Sequence, residues 1–365
     1  MDIAFHYFAV KSLARTAGFT EQDAQIIAKY SQFIDDYNWY VYRPLLNIPD
    51  YTNAPELDLV VAPGTFNPAT TGFSDFIDYL TLVLHRSQKF TVSPFHFIPR
   101  SPNCVRQGDL RAHPCTRADD SYISKMLSVA RNDFLVANAR DRNFCLMHIG
   151  MLLHTFADTH AHQLFTGYHG WENDVTLVQV INNITGKDET KQYQSTISEW
   201  LKKLAVISKV VPIIGHMLIE HIPDLTHLTF TMRYKATKTD PGTTYSRSNT
   251  QVFVENAGKE ALNYLRWCLN RGDVSGAEWN DISKRLARAF LIDISKLSGE
   301  AKIVATLSDH WRSVFPNYEY AYSSEEIKKS FISGVIPKAT EEFYRYNVFA
   351  DRLLIELYGS HPRRN

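Results

Sequence analysis

Residues His154 to Gly167 read HTFADTHAHQLFTG. Helical periodicity enters this stretch from Arg142 and continues to Phe165. On such a helix His154, Asp158 and His162 stand at i, i+4 and i+8. Steps of four residues advance about 40° around the axis, so the three groups fall within roughly 80° of one face. Two imidazoles with a carboxylate between them form a ligand row for a metal such as zinc. His148 and His160 each point about 120° away from His154 by the same arithmetic. The helix thus separates candidate ligands from bystanders. One buried histidine alone reads as packing; three ligand-type groups on one stripe favour a metal.

Outward from this helix, most of the chain carries the same period. Tyr7 to Ala17 is amphipathic and ends at Gly18. Thr20 caps a second helix, with Asp23 three residues on, running to about Asp36. Helices are predicted over Phe73 to Ser87, Ser121 to Ala139, Ser195 to Lys209 and Pro212 to His221. They return over Gln251 to Leu269, Gly276 to Leu297, Gly299 to Arg312 and Ser324 to Tyr358. Tyr37 to Gly72 is a long loop rich in proline and aromatics, a length often found in functional lids. Leu228 to Tyr234 alternates like a short strand or an extended loop. No glycine-rich phosphate loop follows a strand, so nothing points to a nucleotide fold. The fold class predicted is all-α.

Composition bounds the function. The 365 residues are 44% hydrophobic and 21% charged, enough for a large core without staples. Lysine plus arginine number 39, as do aspartate plus glutamate, and this balance disfavours a protein built to grip duplex nucleic acid. The four cysteines form no CxxC pair; Cys104 and Cys115 flank one loop, paired or reduced. No basic and apolar leader opens the sequence, and no run of 18 apolar residues occurs, so the expectation is a soluble protein.

Further ligand-type residues are spread along the chain. His6 lies close to Asp2 and the N-terminal amine, and Asp35 and Asp36 end the second predicted helix. His96 sits in the proline-bracketed SPFHFIPR, and GHMLIEHIPD offers His216 and Glu220 at i and i+4, with His221 and Asp224 beyond. Singly, each reads as an ordinary surface, helix-end or packed loop residue. Together with the central helix they exceed the needs of one metal and point to a multinuclear site. Such sites suit in-line phosphoryl displacement.

In order along the chain, the N-terminal His6, QFIDD, PFHFIP, ADTHAHQLFTG and GHMLIEHIPD resemble the zinc-dependent phospholipase C and single-strand-specific nuclease superfamily. Within it, they look more closely like a bacterial group of zinc metallophospholipases C. The likeness covers about Met1 to Asn249. It implies an all-α enzyme with two to three zinc ions that hydrolyses phospholipids such as phosphatidylcholine at a membrane surface. It also implies export or delivery into a host, or else a cytoplasmic location. Carried over, Asp35, His96, His154 and Asp158 would hold one zinc, and His162, His216 and Glu220 a second. A third would lie between Asp158, His6 and the N-terminal end, where Asp2 or the Met1 amine serves. Position 164 is Leu where the superfamily has a histidine, so His162 takes that place. Asp35 and Asp36 compete for one role, ligand and candidate base, and His221 with Asp224 competes with His216 and Glu220.

The expected arrangement is a phosphodiesterase core over 1–250 and a helical region over 251–365 packed on it. Trp39, Tyr40 and Tyr42 are expected either to contact a choline head group by cation–π attraction or simply to pack their loop. Two rivals remain: a nuclease on the same site, and a metal-stabilised interaction protein. Ile282, Leu286, Ala289, Phe290 and Ile294, interleaved with Lys284, Arg285, Arg288 and Lys296, read as a core-facing stripe or as a membrane-docking one.

Overall fold

The computed structural model describes residues 1–37, 61–62, 65–66, 69–72, 91–100, 111–168, 170, 173–203, 214–235, 242–331 and 340–358. The chain opens on α1, a π-helical stretch Ala4–Ala9 that runs into Val10–Ala17. In α2 (Glu21–Asp36) the Thr20 side chain accepts from the Asp23 N–H, so the cap read from the sequence is the cap that forms. A two-residue ribbon, β1 (Val61–Ala62) with β2 (Thr65–Phe66), precedes the short α3 (Ser93–His96). Then come α4 (Tyr122–Val136) and the central α5 (Arg142–Ala161). The predicted helix at Phe73 to Ser87, Cys104, and the aromatics Trp39, Tyr40 and Tyr42 lie outside the described residues.

After α5 the structure departs from the all-α expectation. Strands β3 (Val175–Asn182), β4 (Lys187–Asp188), β5 (Leu228–Tyr234) and β6 (Thr244–Ser248) form an antiparallel sheet in the order β4-β3-β5-β6, so the fold is mixed α and β. Two features hide it. The β3 register shifts between Leu177 and Gln179, a bulge that breaks the two-residue period of its apolar face. β6, reading TYSRS, is too polar to announce a strand. Only β5 alternates cleanly, burying Leu228, Phe230, Met232 and Tyr234.

The predicted helix Pro212 to His221 is also corrected. Residues 214–221 are turns with one 3₁₀ turn, Met217–Ile219. Gly215 (φ 56°) and Glu220 (φ 47°) adopt positive φ, which no right-handed helix can accommodate. Thr190–Lys203 forms α6, starting earlier than expected.

The C-terminal part is helical: α7 (Asn249–Gln251, a π-helical Val252–Gly258, and Lys259–Cys268), α8 (Gly276–Phe290), α9 (Glu300–Val314), α10 (Ser324–Phe331) and α11 (Glu341–Tyr358). Ser275 and Glu278 close a full capping box on α8. The stripe Ile282, Leu286, Ala289, Phe290 and Ile294 is buried in the same apolar cluster as α1, α2, α4 and α5. A second cluster lies beneath the sheet and includes Phe97, Phe165, Ile214 and Ile222. Phe95 belongs to the first cluster and Phe97 to the second, so His96 stands on the seam between them. Ala161 and Phe165 bracket His162 in the same way. Among the described residues no helix is long and apolar enough to cross a membrane.

Candidate metal centre

On α5, Gly150 lets the helix lie against α2: a Cβ there would meet the Ile27 carbonyl oxygen at 2.2 Å. One turn further on, His154 Nδ1 lies 2.9 Å from the Ser31 carbonyl oxygen on α2. A carbonyl only accepts, so Nδ1 carries the hydrogen and the partner assigns the tautomer. His154 Nε2 is then a bare lone pair. It faces Asp158 Oδ2 at 3.3 Å, His96 Nδ1 at 3.3 Å and Asp35 Oδ1 at 3.7 Å.

The same logic fixes three more rings. His96 Nε2–H donates to the Thr71 carbonyl at 2.7 Å, leaving Nδ1 facing Asp158 Oδ2 at 3.2 Å and Asp35 Oδ1 at 3.8 Å. His162 Nδ1–H donates to the His96 carbonyl at 2.6 Å, and its Nε2 faces Asp224 Oδ1 at 3.0 Å. His216 Nδ1–H donates to the Glu220 carbonyl at 2.5 Å, and its Nε2 faces Asp224 Oδ2 at 3.3 Å. Each ring spends its one hydrogen on a backbone carbonyl and turns its lone pair toward a carboxylate. This is the usual outer support of metal-ligating histidine.

Among the described residues three donor groups result: His6, Asp35 and His154; His96, His154 and Asp158; and His162, His216 and Asp224. The first two share His154 and merge into a first set around Asp35, His96, His154 and Asp158; the third is the second set. Acceptors facing acceptors repel unless a cation lies between them. A tetrahedral ion with donor bonds of about 2.0–2.1 Å separates its donors by roughly 3.3 Å. The separations in the first set, 3.2, 3.3, 3.3, 3.7 and 3.8 Å, match that spacing or sit slightly wider. The donors present fit a metal ion.

Charge agrees. Burial alone would raise Asp158, but His162, the Met1 ammonium, His154 and His6 hold it well below the usual carboxylate range. Asp224 is likewise low: burial opposes, and the Met1 ammonium and His216 prevail. Burial lowers His154 well below its ordinary value and His216 to about 4, so both are neutral ligands near pH 7. His96 moves upward, since Asp158 and Asp35 outweigh its burial. Asp35, with 31% of its side chain exposed, is pushed up to about 8 by desolvation and by neighbouring Asp158 and Asp36.

The remaining sequence candidates take other places. His6 Nε2 lies 3.1 Å from Asp158 Oδ1, which also receives the Met1 ammonium, and the same ammonium lies 3.3 Å from Asp224 Oδ1. His6 also groups with Asp35 and His154, at the edge of the first set, and its Nδ1 is buried with no hydrogen-bond partner. Asp2 Oδ1 accepts from the Ala4 N–H at 3.0 Å, and the residue lies outside the donor sets found among the described residues. Asp36 turns away to accept from the Tyr322 hydroxyl and from Gln32, leaving Asp35 as the carboxylate that faces the histidines. Glu220 contributes its carbonyl to His216 and takes no part in the donor sets. The helical spacing argument for Glu220 fails because the segment is not a helix. His221 is 75% exposed, with Nδ1 3.8 Å from Asp224 Oδ2.

The Asp224 segment is itself clamped. The buried Arg247 donates to the Pro223 and His160 carbonyls, and Asn249 Nδ2 donates to those of Ile222 and Leu225. His160 and His148 are the bystanders that the helix arithmetic made them. His160 Nε2–H donates to the Cys115 carbonyl at 3.0 Å, and His148 stacks on Phe349 at 4.3 Å. Sequence reading held Asp224 only as an alternative, and the supporting carbonyls of Ser31, Thr71 and Glu220 leave no sequence signal at all.

No curated protein and no solved structure matches the chain. Residues 1–351 do match a protein family, and the chain is a member of the Family of unknown function (DUF6765).

Proposed function

We propose that this chain is a zinc-dependent phosphodiesterase of the phospholipase C type. One observation carries the reading: two sets of lone-pair donors, most of them buried, lie beside Asp158, their histidine tautomers fixed by backbone carbonyls. Asp35, His96, His154 and Asp158 would hold one ion, and His162, His216 and Asp224 another. His6 borders a place for a third beside Asp158. Bound zinc supplies a Lewis acid and brings the ionisation of a coordinated water close to neutral pH.

The residues supply the rest. The carbonyls of Ser31, Thr71, His96 and Glu220 orient the imidazoles, and burial keeps His154 and His216 neutral. Asp35 is the partly open group, so it is placed both to ligate and to take the proton of an attacking water at a carboxylate oxygen. The choice of a phospholipid, met transiently at a membrane surface, rests on the sequence resemblance, as does export from the cell. The neutral charge balance weighs against a nucleic-acid substrate.

The test is hydrolysis by purified protein of phosphatidylcholine vesicles, a short-chain phosphocholine ester and single-stranded DNA. Release of phosphocholine, abolished by a chelator and restored by zinc, is expected. Zinc-loaded protein that cuts only DNA, or nothing, overturns the assignment.

A further inference from the structure

We propose that Tyr346 and Thr71 are positioning residues of the metal centre, acting through the imidazole of His96. The inference rests on the metal-centre reading above and assigns a task to α11, the last helix of the chain.

Thr71 holds His96 with its backbone carbonyl, the acceptor for Nε2–H at 2.7 Å. That carbonyl lies in segment 69–72, which belongs to no helix or strand, so no ladder fixes its direction. Other contacts fix it. Thr71 Oγ1 lies 2.9 Å from the Ile34 carbonyl and 2.8 Å from the Tyr346 hydroxyl. A carbonyl accepts only, so the Thr71 hydroxyl hydrogen goes to Ile34, and Oγ1 must accept from Tyr346 O–H. The Thr71 and Gly72 N–H groups both donate to the Tyr37 carbonyl, at 3.1 and 2.9 Å. Asn347, beside Tyr346, accepts from the Ala69 N–H at 2.7 Å and donates to the Tyr37 hydroxyl at 3.2 Å.

Thr71 is fully buried, and so is the Tyr346 ring, which packs among Tyr30, Phe33, Tyr37 and Phe331. The hydroxyl is therefore a small polar addition to an aromatic cluster that would pack without it. A buried hydroxyl costs free energy unless it is bonded, and its partner here is the side chain that sets the His96 acceptor. Outer partners of ligating histidines commonly change metal affinity about 10- to 100-fold when removed. The second donor set has its own supports at Arg247 and Asn249, and it meets this chain of contacts through His162 Nδ1–H, which donates to the His96 backbone carbonyl and not to its ring.

The experiment compares full-length wild type with Tyr346→Phe, Thr71→Val and Thr71→Ser, titrating metal-free protein with cobalt(II) and with zinc against a chromophoric chelator. The wild type is expected to take up at least two ions. Tyr346→Phe and Thr71→Val should weaken one class of site by about 10- to 100-fold and alter its cobalt absorption, with the other class unchanged. Thr71→Ser, which keeps the hydroxyl, should restore wild-type binding. Folded variants that bind both ions like wild type overturn the proposal and leave the hydroxyl a purely structural role. Equal weakening of both classes also overturns it, as general loosening. A wild type that binds no metal refutes the underlying metal reading, and that result is visible before any variant is made.

Discussion

Asp158 is the buried charge of the first donor set: Oδ2 faces His96 and His154, while Oδ1 faces His6 and the Met1 ammonium. Asp158→Asn keeps the shape and removes the charge. It is expected to lower bound zinc by at least one ion per chain and to abolish phosphodiester hydrolysis, as read by elemental analysis and assay. His160→Ala, whose ring points to the Cys115 carbonyl, should keep its full metal complement. His148 tests a different property. It is buried against Phe349 with neither ring nitrogen bonded, and desolvation lowers its pKa to about 3. Folded protein therefore keeps it neutral while the unfolded chain protonates it near its ordinary value, so stability falls as pH drops below about 6.5. Between pH 7 and pH 5 this one residue should cost about 2 kcal/mol of stability. His148→Leu should lose that much less than wild type when denaturant midpoints of metal-free protein are compared at the two pH values. Equal losses would show that His148 is not the titrating group. At this scale the i, i+4, i+8 row was legible because helix geometry is local. Glu220 was misread because the same spacing outside a helix means nothing, and the choice between Asp35 and Asp36 stayed open because only tertiary contact with Tyr322 separates them.

Between elements, the centre depends on how closely α5 approaches α2. Gly150 makes that approach possible, and His154 reaches the Ser31 carbonyl one turn along. In Gly150→Ala the added Cβ meets backbone rather than a flexible side chain, so the helices must separate. A cost of about 1–3 kcal/mol is expected from such overpacking. The larger consequence is a lengthened His154–Ser31 bond and weaker metal binding, measurable by thermal denaturation and chelator competition. A Gly150→Ala variant with wild-type stability and affinity would contradict this account of the helix pair. The helices themselves were readable from period and caps, as at Thr20, and α8 shows its capping box at Ser275. Beyond β5 the sheet was not readable: the β3 bulge spoils the alternation, β6 is polar, and β3 pairs with β5 across a long stretch of sequence. The turn at Gly215 to Glu220 escaped because positive φ at a glutamate has no compositional signal.

Across the whole molecule, the donor sets lie along the seam of two apolar clusters, one helical and one beneath the sheet. The C-terminal helices belong to the first cluster and supply Trp279, Leu286, Phe290, Trp311, Tyr346 and Leu354 to it. Ending the chain after Gly272 removes all six, so an insoluble or non-cooperatively folded product is expected by expression and circular dichroism. A soluble fragment with a sharp unfolding transition would contradict this. The amphipathic stripe in α8 was visible in sequence, yet only packing distinguishes a core face from a docking face. The apolar residues are buried there, while Lys284 and Arg288 stay exposed. The account's central claim is that lone pairs of His96, His154, Asp158 and Asp35, and of His162, His216 and Asp224, converge to hold metal. Anomalous diffraction at the zinc absorption edge, from crystals of zinc-loaded protein, tests this most directly. The account predicts separate peaks, one within each donor set. Zinc-loaded crystals with no peak at either set, or with peaks only at surface histidines such as His221, would contradict it.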